Sequence, residues 1–422
     1  MAESMTSTLP NDPTKFERTF KNGVVMPEAV VPGAVVPEAV VIATARSPIG
    51  RAYKGSLVDV RADDLAGFAI DALMNKVPEV ERSSVDDVML GCGLTHHEQG
   101  FNLARPASLL GGMPETVPAT TVNRFCASSL QTIRMAYHAI GRDEGHTYIA
   151  AGSESVSRTY GKAMDSDDLN PRFTDPTRDD FLNSVYIPMG NTAENVAKKY
   201  GITRERQDEF GKRSQDRAVE AQKNGFFDRE ITPMELADGR TISTDDGPRP
   251  DTTLEKLGEL APVFDPEGSV TAGNSCPLND GSAAVLVMSA ERAAELGLTP
   301  MARIVGSAVA GLEPEYMGMG PVYAVRKALE QTGMTLDDID VVEINEAFAA
   351  QVLACVDELG IDMDKLNPNG GAIALGHPFG MTGARIMGTL LNDLRTLDGT
   401  FGLETMCVGG GQGMAMIVER LG

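Results

Sequence analysis

The stretch Asn123-Arg124-Phe125-Cys126-Ala127-Ser128-Ser129-Leu130 lies where an apolar, β-branched segment gives way to a helical pattern. Residues 117–122, just before it, predict a buried strand, and the apolar residues after it recur at helical spacing as far as Gly141. Cys126 is therefore expected at the start of a helix, where unpaired amides and the helix dipole favour the thiolate, the nucleophilic form of the side chain. Taken alone, a cysteine at such a place is more often a small buried hydrophobic residue.

The composition excludes several classes of protein. A chain of 422 residues can form two or three domains, and 42% hydrophobic with 23% charged residues is ordinary for a soluble globular protein. No apolar run is long enough to span a bilayer, and a net charge of −23 argues against nucleic acid or an anionic membrane as the main partner. Five cysteines without a CxxC pair predict neither a zinc site nor a disulfide framework, and we expect a cytoplasmic protein with no bound metal.

Strand and helix patterns alternate along most of the chain, after a polar segment at residues 1–37 that we expect to be a disordered extension. The predicted strands lie at residues 39–43, 85–93, 117–122, 148–152, 283–288, 302–310 and 414–419. The predicted helices lie at residues 63–73, 102–110, 128–141, 191–200 and 203–224.

Residues 158–266 differ from the rest and are interpreted as an insertion that covers a site. They begin with a polar, Asp-rich segment and continue into two amphipathic helices, the second of which has Thr203 as its predicted cap. The basic residues between 198 and 217 are interpreted mainly as a solvated helix face with ion pairs one turn apart. A minority of them could attract a phosphate-bearing ligand.

The two halves of the remaining chain repeat one pattern. Residues 84–90 and 336–344 each combine acidic residues with an apolar strand, and each half later has a turn that enters a helix, at Cys126 and at His377. The repetition predicts an α/β fold of two duplicated halves with mixed sheets covered by helices. Loops at the strand ends of both halves would then carry the chemistry.

Three motifs of the second half carry reactive or polar groups. Asn345-Glu346-Ala347-Phe348 follows a buried strand, Gly376-His377-Pro378 lies in a turn stiffened by its proline, and Cys407 precedes the glycines 409–411. Separately, they could be a helix cap, a structural histidine and a core cysteine. Together with Cys126 they indicate acyl transfer: one cysteine attacks a thioester, the histidine takes its proton, backbone amides stabilise an oxyanion, and the second cysteine moves a further proton.

On these four motifs, the chain from about residue 38 to residue 422 resembles the thiolases. Thr192-Ala193-Glu194-Asn195-Val196-Ala197 and Asn279-Asp280-Gly281 agree with the same family. The resemblance implies a thiolase-like fold, in which residues 38–157 with 267–300 form one half, 301–422 form the other, and 158–266 form an inserted loop domain that binds CoA. It also implies a homodimer or homotetramer.

The activity that the resemblance implies is acyl-CoA C-acyl transfer: cleavage of a 3-ketoacyl-CoA by CoA, or the reverse Claisen condensation, with ping-pong kinetics. CoA and acyl-CoA are substrates, and no other cofactor is required. Cys126 would accept the acyl group and His377 would activate it, while Cys407 would exchange a proton with the α-carbon. His377 with a water held by Asn345 would form one oxyanion hole, and the amides of Cys126 and Gly409 the other.

The resemblance also implies contacts with the CoA substrate. Arg249 would lie against the adenine, while Met189, Phe264 and Met317 would line the pantetheine and acyl pocket. Cys276 stands where a serine commonly contacts pantetheine. Pro188 before Met189 resembles the degradative 3-ketoacyl-CoA thiolases of β-oxidation, and Phe379 and Met381 are bulkier than the residues common after Gly-His-Pro.

Three alternatives to this interpretation remain. The chain could be a biosynthetic enzyme that forms acetoacetyl-CoA, since one site serves both directions. It could be a condensing synthase that uses carrier-protein substrates, although Cys407 and the motif at Asn345 argue against that. It could also be a lipid-binding relative without turnover, in which one or more motifs are usually absent.

Overall fold

The computed structural model describes residues 36–163, 169–175, 177 and 184–422, so nearly all of the expected N-terminal extension lies outside the described residues. The strands are β1 Ala39–Arg46, β2 Gly50–Arg51, β3 Asp87–Gly91, β4 Ala119–Val122, β5 Thr147–Ser155, β6 Met234–Glu235, β7 Thr241–Ile242, β8 Asn279–Ser289, β9 Ala302–Gly311, β10 Val341–Ile344, β11 Phe401–Val408 and β12 Gln412–Arg420. The helices are α1 Ala62–Lys76, α2 Ala104–Leu110, α3 Ser128–Gly141, α4 Val156–Ala163, α5 Met189–Tyr200, α6 Arg204–Lys223, α7 Leu254–Gly258, α8 Ala290–Glu295, α9 Gly320–Thr332, α10 Ala349–Leu359, α11 Ala372–Leu375 and α12 Thr382–Leu397.

Every predicted strand and helix is present, with ends that differ by a few residues. The prediction of a buried strand before Cys126 is wrong in one respect, because the residues of β4 are only partly buried. β4 is the last strand of the sheet and pairs only with β3 among the described strands. Its other edge is met by a side chain instead of a strand, since Asn102 Nδ2 donates to the Ala119 carbonyl at 2.9 Å. Position in the sheet, rather than composition, sets its exposure.

The two halves share one strand order. β3 lies parallel to β5, which pairs antiparallel with β8, which in turn pairs antiparallel with β1. In the second half, β10, β11, β12 and β9 repeat the same parallel, antiparallel, antiparallel series. β4 adds to β3 in parallel, and a single parallel bridge from Val342 to Leu366 takes the corresponding place beside β10. The duplication read from the sequence is therefore visible in the topology.

The strands of the two halves meet at β1 and β9. Val40 pairs with Arg303 and Val41 with Ala302, which joins ten described strands into one continuous mixed sheet. The sequence predicted two mixed sheets. The two sets of strands become continuous because the outer strand of each half lies beside the outer strand of the other.

Helices and strands alternate in layers. The central helices α3 and α12 pack between the inner faces of the two sets of strands, in a core that contains residues of both halves. α1 and α2 cover the outer face of the first half, and α9 and α10 cover that of the second half. α3 begins just after Cys126 and α12 begins five residues after His377, so the central layer places both residues at one end of the two helices.

The insertion contributes α5 and α6. Thr203 caps α6 as predicted, since its side chain accepts a hydrogen bond from the Arg206 amide. The solvated-face interpretation is confirmed for Lys212, which pairs with Asp216 one turn later at the surface. Arg204 also pairs one turn later, but its partner Asp208 is buried, and the Arg204 guanidinium donates further to the Leu257 and Leu260 carbonyls. Arg213 and Arg217 differ from that interpretation, because their guanidinium groups donate to backbone carbonyls of residues 363–367 and so bind the insertion to the second half.

Candidate active site

Cys126 lies in a short 3-10 turn, Phe125–Ala127, that connects β4 to α3. The residue before it, Phe125, has a φ of +44°, a backbone conformation that a bulky side chain rarely adopts. Two hydrogen bonds hold it there: the Phe125 amide donates to Asn123 Oδ1 at 2.9 Å, and Ser128 Oγ donates to the Phe125 carbonyl at 2.6 Å. The turn is thus fixed by its own polar side chains before any substrate binds.

The environment of the Cys126 thiol combines two opposed effects. Burial raises its pKa to about 12, while the backbone amides of Gly409 and of Cys126 itself lower it by hydrogen bonding. The sequence predicted that the helix start would favour the thiolate, and this is wrong for the ligand-free protein. The loss of hydration destabilises the thiolate by more than the hydrogen bonds from the two amides stabilise it. Cys126 is therefore a thiol at neutral pH.

Two further cysteines lie within electrostatic range of Cys126. Burial raises the pKa of Cys407 well above its ordinary value, and a charge on Cys126, Cys355 or Cys276 raises it further. Burial and the neighbouring Cys126 likewise raise the pKa of Cys276. The three thiols are therefore close enough that ionisation of one opposes ionisation of the others.

Cys407 is held near the tip of the β11–β12 hairpin, where it pairs with Gly413. Gly410 and Gly411 make the turn with φ values of +77° and +79°, and a Cβ on Gly411 would lie 2.3 Å from the Leu312 carbonyl oxygen. Only glycine fits there without displacing the hairpin. The turn brings the Gly409 amide to the thiol of Cys126 in the other half.

A polar relay joins this hairpin to the Cys126 turn. Arg124 Nη1 donates to Gln412 Oε1 at 2.8 Å, and Gln412 Nε2 donates to the Gly409 carbonyl at 3.3 Å. Arg124 Nε donates to Gln131 Oε1 at 3.0 Å, so the guanidinium is held from α3 as well. The relay fixes the residue whose amide faces Cys126.

His377 is fully enclosed on the turn between α11 and α12. Its amide donates to Asn279 Oδ1 at 3.0 Å, its Nδ1 lies 2.7 Å from Thr382 Oγ1, and its Nε2 lies 3.3 Å from Asn345 Nδ2. Burial is the larger cause, and the positive charge of Arg385 the smaller one, that together lower the pKa of His377 to about 3. The imidazole is therefore neutral at neutral pH, as a base that must accept a proton has to be.

Two buried carboxyl groups brace the loops. Glu154 accepts hydrogen bonds from the amides of Gly93, Leu94 and Gly380, at 2.8, 3.2 and 2.9 Å, and so links the loop after β3 to the turn after His377. Glu346 accepts from Ser214 Oγ, Asn367 Nδ2 and the Ile373 amide, and so links the Asn345 loop to the insertion and to α11. Burial raises the pKa of both carboxyls, although these hydrogen bonds oppose the shift.

An apolar cluster lies beside the cysteines. Cys407, Met317 and Phe348 pack together in it with Met189 at its edge, and Phe264 meets Phe348 edge-to-face at 6.1 Å. The other buried members of the cluster are Ala193, Val270 and Ala347. The Cys276 amide donates to the Ala347 carbonyl at 3.0 Å, which places Cys276 at the same spot.

The sequence-predicted residues thus divide into two sets. The cysteines, Gly409, His377 with Asn345, and the apolar residues 189, 264 and 317 are joined by the contacts described above, and of these 189 and 264 come from the insertion. Arg249 lies elsewhere on the insertion. The Arg249 amide donates to Gln215 Oε1 at 2.8 Å, and burial and the charge of Arg51 lower the pKa of its guanidinium. No group of three or more His, Cys, Asp or Glu side chains in the described ranges is arranged to hold a metal. Within those same ranges, no helix is both long enough and apolar enough to cross a membrane.

Sequence reasoning missed the residues that support the reactive ones: Arg124, Glu154, Thr382 and Gln412. Arg124, Thr382 and Gln412 each sit within a few residues of a motif, next to a glycine-bearing turn or at a helix start, whereas Glu154 lies near the end of β5, away from the motifs. That pattern is a signal for hydrogen bonding to a loop, but it does not say which loop. Glu154 is the clearest case, since three of its donors come from residues far away in sequence.

Comparisons with known proteins find related chains over most of this sequence. Residues 39–291 match the family model of the thiolase N-terminal domain, and residues 298–420 match that of the thiolase C-terminal domain. The chain is 46% identical to the beta-ketoadipyl-CoA thiolase of Acinetobacter baylyi, over 90% of this chain and 99% of that protein. It is 48% identical to the enzyme of the same name from Pseudomonas aeruginosa, over 89% and 97% of the two chains.

Solved structures give the same result. The crystal structure of a Bacillus anthracis acetyl-CoA acetyltransferase superposes with a TM-score of 0.84 at 42% identity, covering 92% of this chain and 99% of that one. Human mitochondrial 3-ketoacyl-CoA thiolase in complex with CoA superposes with a TM-score of 0.82 at 38% identity, covering 91% and 98%.

Proposed function

The chain belongs to the thiolase family, and we propose that Cys126, His377, Asn345 and Cys407 carry its reaction. As a thiolase it is a CoA-dependent acyltransferase that works through an acyl-cysteine, with CoA as a substrate. The observation that carries the assignment is the Cys126 thiol facing the amides of Gly409 and Cys126, with one amide supplied by each half. Such amides stabilise the oxyanion of a tetrahedral intermediate.

The first half-reaction cleaves a carbon–carbon bond. Cys126 Sγ attacks the 3-keto carbonyl carbon while His377 Nε2 takes the thiol proton. The bond between C2 and C3 then breaks, its electron pair remains on C2, and Cys407 gives its proton to C2. Acetyl-CoA leaves, the shortened acyl group stays on Cys126, and the site holds a Cys407 thiolate beside a protonated His377.

The second half-reaction transfers the acyl group. The Cys407 thiolate takes the proton of the incoming CoA thiol, and the CoA sulfur attacks the acyl carbon. Cys126 leaves with the electron pair of its bond to the acyl carbon and recovers its proton from His377. The enzyme returns to its starting state, and the sum is 3-ketoacyl-CoA plus CoA to acyl-CoA plus acetyl-CoA.

The neutral state of Cys126 and His377 suits this order of reaction steps. Burial holds Cys126 as a thiol and His377 as a free base. Proton transfer between them is then driven by the substrate, whose developing negative charge is met by the protonated His377. The Asn345 side chain would hold the second donor, a water, and its Oδ1 has no hydrogen-bond partner among the described residues.

We assign CoA binding to the insertion, residues 158–266, and the two catalytic halves to residues 38–157 with 267–300 and to residues 301–422. Arg249 would take the adenine, and Met189, Phe264, Cys276 and Met317 would line the pantetheine and acyl groups. The apolar cluster beside Cys407 supports this lining. A CoA-bound thiolase covering 91% of this chain supports CoA as the ligand.

The acyl chain is proposed to be that of a 3-ketoacyl-CoA with an apolar tail, as in β-oxidation, because methionine and phenylalanine side chains pack around Cys407. 3-Oxoadipyl-CoA, which carries a terminal carboxylate, is the second candidate. It is favoured by the names of two relatives at 46% and 48% identity, both beta-ketoadipyl-CoA thiolases.

We further propose a homodimer or homotetramer in the cytoplasm. The free edge of β4 is flanked by Phe101, which is 102% exposed, and by Phe125, which is 46% exposed. An unpaired strand edge beside exposed aromatic rings is the kind of surface that a second copy covers. All five cysteines are free, which suits a reducing compartment.

The test is a thiolysis assay with CoA and a series of 3-ketoacyl-CoAs, from acetoacetyl-CoA to long chains, together with 3-oxoadipyl-CoA. We expect turnover by the wild type, and at least a ~1000-fold loss in Cys126→Ala and in Cys407→Ala. We also expect Cys407→Ala to retain alkylation of Cys126, because the nucleophile itself is intact.

Activity on acyl chains but not on 3-oxoadipyl-CoA supports the apolar candidate, and the reverse preference supports the second one. Turnover that survives Cys126→Ala would overturn the assignment of the nucleophile. Binding of acyl-CoA without turnover on any substrate would instead indicate a lipid-binding protein.

A further inference from the structure

We propose that Thr382 is a positioning residue that fixes which ring nitrogen of His377 carries the proton. The proposal deepens the proposed function, because it explains how His377 keeps on Nε2 the lone pair that the proton of Cys126 requires. The tautomer of His377 can nevertheless be measured without any turnover.

The protons can be counted from the distances. Thr382 Oγ1 lies 2.7 Å from the Pro378 carbonyl oxygen, which can only accept, so the single hydroxyl proton of Thr382 points to that oxygen. The same Oγ1 lies 2.7 Å from His377 Nδ1. Because the hydroxyl has no second proton, the hydrogen between them belongs to Nδ1, and Thr382 accepts it.

The other side of the ring is consistent with this assignment. With the proton on Nδ1, Nε2 carries a lone pair, and the Asn345 amide group at 3.3 Å donates to it. Asn345 Oδ1 points elsewhere and remains without a partner among the described residues. The Thr382 side of the ring therefore decides the tautomer, and the Asn345 contact is compatible with it.

The chemistry needs this tautomer. A base that takes the Cys126 proton must have its lone pair on the nitrogen that faces the substrate pocket, and Nε2 is the nitrogen next to Asn345. After it accepts the proton, the ring keeps its Nδ1–H bond to Thr382 and does not rotate. If Thr382 lacked the hydroxyl, the ring could hold its proton on Nε2, and that nitrogen would have no lone pair with which to accept the Cys126 proton.

The site tolerates removal of the hydroxyl. Thr382 is the first residue of α12 and is 1% exposed, so valine fills the same space. The Pro378 carbonyl also accepts the Met381 amide at 3.1 Å, so it keeps a donor in the variant. Thr389→Val is a matched control, because Thr389 is a buried threonine two turns later on α12 whose hydroxyl contacts Glu230 and Arg385.

The experiment compares wild type, Thr382→Val, Thr382→Ser and Thr389→Val as full-length enzyme. The ring ¹⁵N shifts of His377 are measured in labelled protein. Among the signals of the five histidines, those of His377 are assigned as the ones that disappear in His377→Asn. The acylation rate is measured in a single turnover, and KM for CoA in the steady state.

We expect Nδ1 protonated and Nε2 unprotonated in the wild type, in Thr382→Ser and in Thr389→Val. In Thr382→Val we expect the proton to be shared with or moved to Nε2, and acylation to be slower by about 30-fold or more with KM for CoA changed less than about 3-fold. Thr382→Ser should recover most of the lost rate, which a defect of packing alone would not predict.

A wild type with an unprotonated Nδ1 would overturn the proposal, as would Thr382→Val with an unchanged tautomer and rate. Loss of rate in Thr382→Val and Thr389→Val alike, with the tautomer unchanged in both, would show a merely structural role. A failure of the proposed function can be told apart from a failure of this proposal. If His377 were not the catalytic base, His377→Asn would leave turnover intact, whichever ring nitrogen carries the proton.

Discussion

At the scale of single residues, burial rather than the helix start sets the state of the nucleophile. The pKa of Cys126 is raised to about 12, so the reactive thiolate is a minor species at neutral pH in the free enzyme. We predict that the rate of alkylation of Cys126 by iodoacetamide rises about tenfold per pH unit between roughly pH 7 and 10. Cys126→Ala supplies the background.

A rate that stays constant across that range would contradict the prediction. It would show that Cys126 and His377 already form a thiolate–imidazolium pair before substrate binds. The proton transfer that we assign to the first step would then precede binding.

His377 gives a second prediction, on the acid side. Its pKa is lowered to about 3, whereas an unfolded histidine titrates near 6.5, so between these values the unfolded chain binds more protons than the native one. The stability that this residue contributes is fully present above pH 6.5 and is lost as the pH falls towards 3. By linkage, about 2 kcal/mol is lost between pH 8 and 5.

The measurement is urea unfolding of wild type and His377→Asn at a series of pH values. We expect the stability gap between them to narrow by that amount towards pH 5, whatever its size at pH 8. A gap that is independent of pH would mean that His377 is not held neutral by burial.

The residues that react were predictable because each lies in a short motif with a chemical signature. Cys126, Asn345, His377 and Cys407 are recognisable from their glycines, prolines and neighbouring strands. Their charge states were not predictable, because desolvation depends on what the rest of the fold places over them. Thr382 was missed for the same reason, since its bond to His377 exists only once the turn is folded.

At the scale of elements, the turn between α11 and α12 is the most constrained piece of the site. Gly376 has a φ of +112°, and a Cβ on it would lie 2.5 Å from the Asn279 side chain that holds the His377 amide. We predict that Gly376→Ala lowers turnover at least ~100-fold, because it strains the backbone and displaces this contact together. Thiolysis rates and melting temperature measure the two effects.

Gly333→Ala is the control for backbone strain alone. Gly333 has a φ of +70° at the end of α9, and no atom lies within 4 Å of the position its Cβ would take. We expect a loss of about 1 kcal/mol of stability and no loss of turnover. Equal losses of turnover in both variants would show that the Asn279 contact does not position His377.

The positions of strands and helices along the chain were predicted better than their neighbours in the fold. Periodicity located β1 and α3, because apolar spacing depends on the local sequence. The exposure of β4 and the joining of the two sheets at β1 and β9 depend on which strand ends up beside which, and short apolar runs carry little information about partners.

At the scale of the whole molecule, duplication explains why the site is shared. Each half ends its parallel strands at the same side, so the turn with Cys126 and the loops with Asn345 and Cys407 meet at one end of the central helices α3 and α12. Each half also supplies one buried glutamate, Glu154 or Glu346, that holds loops together. The Gly409 amide at Cys126 is thus a contact between the two repeats.

The insertion is attached to this frame by a buried ion pair, which gives the last prediction. Arg46, at the end of β1, makes two hydrogen bonds to Asp245 at 2.8 and 2.9 Å and one to Glu230 at 2.9 Å, with all three side chains almost fully buried. Arg46→Met leaves two carboxylates buried without their cation, and we expect the free energy of unfolding in urea to fall by about 3–5 kcal/mol.

Arg206, bonded twice to Asp357 at the surface, is the matched control, and Arg206→Met should lower the free energy of unfolding by less than about 1 kcal/mol. Equal costs would show that the two carboxylates find other partners, and that the insertion is held instead by Arg213 and Arg217.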